Sequence, residues 1–140
     1  MRPEKLFRLE EANALVPRFQ ILMARLQQGA LALNEEMHAL ADEIGVAPAS
    51  LSPEELVRRR PTARTLVEEL DAIVEEFQER GVVLKDVRLG LVDFPAERGG
   101  EIVYLCWQFG EPEVAYWHEV DVGFAGRRPL PGVAGPPYLQ

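Results

Sequence analysis

The chain has 140 residues, a formal net charge of −8 and a single cysteine, with a pI of about 4.8. That length suits one domain around one core. A lone cysteine excludes an internal disulfide and any multi-thiolate metal site within the chain, and the acidity sets long-range electrostatics against nucleic acid and anionic membranes.

No apolar run approaches the ~20 residues that span a bilayer. The start, Met1-Arg2-Pro3-Glu4, lacks the apolar stretch of a signal peptide. A cytoplasmic protein with neither membrane nor nucleic acid as partner is therefore expected. Thirteen of the fifteen basic residues are Arg, which suits planar, multidentate ion pairs.

From Leu15 the apolar positions run Phe19, Leu22, Leu26, Ala30, Leu33, Met37, Leu40 and Ile44, always three or four apart. This is one stripe of a long helix, stopped by Gly45. Pro17 lies inside the pattern, where it cannot donate to the carbonyl of Asn13. It predicts a kink, or a separate short helix from about Leu9 to Val16. Ser52-Pro53-Glu54-Glu55 is a second helix start, with Ser52 as cap, Pro53 in the first turn and Glu55 completing a capping box. Pro61 disfavours helical geometry at Arg60, so a kink or restart near Thr62 precedes the stripe Leu66, Leu70, Ile73 and Phe77. The short connection favours an antiparallel helical hairpin.

After Gly81 the period becomes two, with strands expected at about Val87–Phe94, Ile102–Phe109 and Glu113–Val120. From Gly123 the tail holds four Gly and four Pro, too many for a helix or an interior strand. The expected fold is α+β: a helical hairpin over about 9–80, kinked near Pro17 and Pro61, packed on a three-stranded antiparallel meander over about 82–122. An extended Gly/Pro-rich tail follows over 123–140, all within one domain, 1–140.

An even GEPE connection would set Phe109 opposite Val114, Trp107 opposite Tyr116 and Leu105 opposite His118. Trp107, Tyr116 and His118 then share one sheet face, and Cys106, Trp117 and Glu119 the other. Both faces are apolar, so the hairpin covers one while the tail or a second subunit covers the other. With that parity Cys106 and His118 cannot form a nucleophile and base pair without an odd loop or a bulge.

The blocks Gly90-Leu91-Val92-Asp93-Phe94-Pro95, Leu105-Cys106-Trp107, Gly110-Glu111, Trp117-His118-Glu119 and Gly123-Phe124-Ala125-Gly126-Arg127 resemble the small bacterial proteins of domain of unknown function 2203. Leu9-Glu10-Glu11-Ala12-Asn13 with Leu15 and Pro17 is similar as well. The resemblance reaches to about Leu130 and implies no established activity.

Several constellations carry ligand chemistry. His118, Glu119 and Asp121, with Asp93 or Glu111 brought near, offer ligand types for one divalent metal. Adjacent strand residues point apart, however, and the bland reading of His118 is a hydrogen-bonded core histidine. Glu35-x-x-His38 is one half of a di-metal helical motif, and the second helix has no histidine to complete it. Arg58-Arg59-Arg60 with Arg64 is a basic cluster that Glu54, Glu55, Glu68 and Glu69 can neutralise. Arg127 and Arg128, after Gly123 and Gly126, are an anion-binding candidate set against a structural turn whose arginines pair with the sheet's carboxylates.

No phosphate loop, nucleophile elbow or zinc-protease motif is present, and no cofactor is predicted. The sequence reading is a non-catalytic protein-interaction module, self-associating as a homodimer. Its alternative is a metal-assisted hydrolase or lyase using His118, Glu119 and Asp93, with His118, Asp121 and Glu111 as the candidate ligands of a single divalent metal.

Overall fold

The architecture comes from a computed structural model, which describes residues 3–132. Helix α1, Leu9–Ile44, runs 36 residues, about 54 Å at 1.5 Å per residue. A return arm follows, made of α2, Pro53–Arg59, a single 3-10 turn, Pro61–Ala63, and α3, Arg64–Glu79. Among the described residues five strands follow: β1, Val83–Asp86; β2, Leu91–Arg98; β3, Glu101–Gln108; β4, Tyr116–Glu119; and β5, Arg128–Pro129. They form one sheet in chain order, every pair antiparallel. Among the described residues no helix is long and apolar enough to cross a membrane.

The helix ends follow local chemistry. Glu11 accepts from the backbone N–H of Arg8 at 2.9 Å and from Lys5 Nζ at 2.9 Å. The Lys5 bond, then the Arg8 N–H, holds its carboxyl well below the usual range, to about 2. Arg8 has no oxygen to offer the helix amides, so Glu11 supplies the capping chemistry at this end. Gly45 closes α1 in the left-handed conformation, φ 75°, and Ser52 caps α2 through the N–H of Glu55.

Pro17 does not divide α1. It costs one backbone hydrogen bond, while Val16 and Phe19 on either side stay buried in the same core and keep the helix continuous. Pro61 does divide the return arm, because Arg60 leaves helical geometry at φ −133° and ψ 81°.

The core lies between the first half of α1, the last turns of α3 and one sheet face. Phe19 is its centre, with ring centroids 4.6 Å from Phe77, 5.8 Å from Phe94 and 6.4 Å from Trp107. Each such buried side chain contributes about 1.5–3 kcal/mol by leaving water. Beyond the sheet the hairpin closes on itself around a small cluster of Leu40, Leu56 and Ala63.

The sheet has five strands instead of the three expected. β1 precedes the first strand expected, at about Val87–Phe94, because four residues with an irregularity between Leu84 and Asp86 leave little alternation to see. β2 runs on through Pro95 to Arg98. Pro95 is tolerated because its side of the strand lies beyond β1, where Phe7 N–H donates to the Pro95 carbonyl at 2.7 Å. Gly99 and Gly100, at φ 60° and 84°, then make the two-residue hairpin turn. The tail is not extended throughout: Phe124–Gly126 forms a 3-10 turn and Arg128–Pro129 forms β5. Residues 133–140 of the expected tail lie outside the described residues.

The register between β3 and β4 also differs by one. Leu105 pairs with Trp117, Tyr104 with His118 and Cys106 with Tyr116. Residues 109–115 fold as a seven-residue, odd connection, with Val114 N–H on Asn13 Oδ1 at 2.6 Å and Leu130 N–H on the Ala115 carbonyl at 2.8 Å. Trp107 and Trp117 therefore share the helix face, and Cys106, Tyr116 and His118 share the opposite one. Phe124 packs against Cys106 and Tyr116 there, so the first part of the tail covers the second face.

Gly90 turns the chain from β1 into β2 at φ 72°, and a Cβ there would meet Phe109 Cβ at 2.5 Å. Gly90→Ala is expected to cost about 2–4 kcal/mol, from left-handed strain plus overpacking. Urea denaturation measures this, and a loss under 1 kcal/mol would contradict the tight approach.

Candidate functional site

The one-residue change of register gathers chemistry that the even register had kept apart. Asp93 on β2 lies opposite Cys106 on β3, and His118 on β4 reaches the same face one pair along. Asp93 is 2%, Cys106 1% and His118 2% exposed. Their ligand atoms all lie within 4.8 Å of one another.

Each ring nitrogen of His118 faces an oxygen. Nδ1 is 2.8 Å from the Glu119 carbonyl and Nε2 is 3.0 Å from Asp93 Oδ1. A carbonyl can only accept, so Nδ1 carries hydrogen and donates. Neutral imidazole has a single N–H, and an ionised carboxylate only accepts. A second proton, or a cation in its place, must therefore lie between Nε2 and Asp93.

The Cys106 thiol is pushed up to about 12, first by burial and then by the charge of Asp93, against the opposing pull of Arg127. Cys106 and His118 do meet, contrary to the expected parity, through the odd loop. Burial, not separation, is what weakens a nucleophilic cysteine here, because a protonated and enclosed thiol does not attack.

Arg127 and Glu111 close the neighbourhood. The guanidinium donates to both carboxylate oxygens of Glu111, at 3.1 and 2.9 Å, and lies 3.9 Å from the Tyr116 ring centroid and 4.6 Å from that of Phe124. This side-chain pair is 17% and 13% exposed, so Arg127 is engaged by the protein rather than held ready for an anion. Arg128 is exposed, 3.6 Å from Glu119 and 5.3 Å from the Trp117 ring centroid.

Of the expected metal ligands, His118 and Asp93 lie in the buried cluster. Glu111 is bound to Arg127, and Asp121 is exposed in the turn after β4. Glu119 sits on the other face from His118, which removes the second carboxylate from the hydrolase or lyase arrangement. Glu35 and His38 are exposed. Arg60 pairs with Glu36, at 3.3 Å, and with Glu43, both on α1 rather than on the return arm. Cys106 as a partner of Asp93 and His118 was missed, and its signal was the length of the 109–115 connection.

The sequence profile of one family matches residues 5–130, a span holding all five residues of this neighbourhood. The chain belongs to the family described as uncharacterized conserved protein, DUF2203. No curated protein and no solved structure matches it. Family membership thus brings no assigned reaction, and the chemistry has to be read from these side chains.

Replacing His118 by Ala strands the Asp93 carboxylate in the interior. A loss of about 3–5 kcal/mol is expected, read by urea denaturation; a variant as stable as the parent would show that the pair is not integral to the fold. The Cys106 thiol should alkylate at neutral pH at least about a hundredfold more slowly in the folded than in the denatured chain. Equal rates in iodoacetamide time courses would mean that the thiol is open.

Proposed function

We propose that this chain is a non-catalytic, self-associating interaction module of the cytoplasm. The observation that carries the reading is an open apolar surface where α1 passes the β1–β2 turn. Leu31 is 61% and Leu89 46% exposed. A groove of about 520 Å³ runs there between Gln27, Ala30, Leu31 and Asn34 on one side and Val87 and Arg88 on the other. The side chains suited to catalysis are enclosed, whereas this surface is accessible, which favours binding over turnover.

A second copy of the chain is the occupant proposed. Asn13, Gln20 and Gln27 recur every seventh residue on α1. Asn13 accepts from the backbone at Val114, Gln20 bonds to Gly110 and Glu111, and Gln27 donates to Val87 and Arg88. The next step of that series is Asn34, exposed on the groove past the edge of the sheet. A two-fold related copy would present its own hairpin to this stretch and bury both Leu31 side chains.

Two chains of charge −8 repel, so the apolar contact has to outweigh a term that salt screens. Light scattering should give a dimer mass at micromolar concentration, more fully at 0.5 M than at 0.05 M NaCl. Leu31→Glu should shift it to monomer without lowering the melting temperature. A monomer mass for the parent chain at both salt concentrations would refute the proposal.

A further inference from the structure

We infer that Asp93, Cys106 and His118 form a closed binding site for one thiophilic divalent cation of the zinc type. Three features of the geometry point there. First, a carboxylate, a thiol and an imidazole from three adjacent strands converge with their ligand atoms within 4.8 Å. Tetrahedral zinc, with bonds of about 2.0–2.3 Å, sets such atoms about 3.3–3.8 Å apart. Drawing together by about an ångström therefore suffices, within the reach of side-chain rotation.

Second, His118 is oriented as a metal ligand. Nδ1 donates to the Glu119 carbonyl at 2.8 Å, which fixes the tautomer and leaves Nε2 turned toward Asp93. A backbone acceptor on the far nitrogen is the usual support of a metal-bound imidazole. Without a cation, a proton bridges Nε2 and Asp93 Oδ1 at 3.0 Å, and a cation can take that proton's place.

Third, the charges balance. A dication with one thiolate, one carboxylate and one neutral imidazole is electrically neutral, as a site excluded from water requires. Loading exchanges the cation for two protons, the one between His118 and Asp93 and the one on Cys106, which leave to solvent. Arg127 stands beside the sulfur, held by Glu111, where its N–H groups steady a thiolate ligand. A sulfur ligand selects zinc over magnesium or calcium, which take all-oxygen shells.

The test uses the full chain, stripped with a chelator and titrated with Zn²⁺ or Co²⁺ alone. Cys106 is the sole cysteine, so a thiolate-to-cobalt charge-transfer band reports this site and no other. The expected result is one equivalent of either ion, that band with the visible bands of tetrahedral cobalt, and a melting temperature raised by zinc. Cys106→Ser, close to isosteric, should abolish the band and weaken zinc binding at least tenfold, as should Asp93→Asn. His38→Ala, on the surface of α1, should change neither. Less than 0.1 equivalent bound by the parent chain, cobalt bound without the thiolate band, or zinc lost in His38→Ala but retained in Cys106→Ser would each overturn the site.

Discussion

Glu111 is the residue on which the sheet's arrangement depends. Its carbonyl accepts from Trp107 Nε1 and from Gln20 Nε2, both at 2.9 Å. Its carboxylate accepts from the Gln108 N–H at 2.7 Å and from the Arg127 guanidinium. One residue thereby ties the end of β3, the first half of α1 and the tail to a single turn. That turn makes the connection to β4 odd, and the odd count sends His118 to the face of Cys106. Because side chains alternate strictly along a strand, a one-residue difference there exchanges every neighbour of β4.

The two sheet faces are covered by different means. The helix face is a conventional apolar core in which Phe19 touches both the return helix and the sheet. The other face is closed by a short piece of tail, with Phe124 on Cys106 and Tyr116 and with Arg127 between two aromatic rings. Arg suits this place because its planar group stacks on rings while its N–H groups pair with a carboxylate. Under that cover lie Asp93 and His118, an ionisable pair whose desolvation is costly unless its partners are retained. Such a pair adds little net stability over an apolar one, yet it makes the register all-or-none, since a slip would strand both groups.

Along α1 the same economy of contacts appears in polar form. Asn13 and Gln20 bond the 109–115 connection and Gln27 the β1–β2 turn, at heptad spacing, so the helix fixes where these two strand connections lie. Past Gln27 the sheet has ended and the helix continues to Ile44 against the return arm, with Gly29 close to Leu66 and Leu70 of α3 and Leu40 clustered with Leu56 and Ala63. The molecule therefore divides along its longest element, with a tightly held half beside the sheet and a more exposed half bearing the open groove.

Periodicity by itself determined much of this protein. The stripe from Leu15 to Ile44, the stop at Gly45, the Ser52 cap, the break at Pro61 and the change of period after Gly81 all rest on local rules, in which each residue's preference reflects its near neighbours. The family resemblance was legible too, in blocks that the matched span contains. Strand number and register were not. β1 and β5 are too short to show alternation and exist because neighbouring strands offer them partners. Loop parity was set by side chains of α1 roughly a hundred residues away, as in the bond from Val114 to Asn13. His118 and Asp93 were picked out by residue type, but their pairing with each other and with Cys106 depended on that parity. Only the assembled tertiary contacts decide it, because whether a turn holds an even or an odd number of residues follows from what its backbone groups find to bond with.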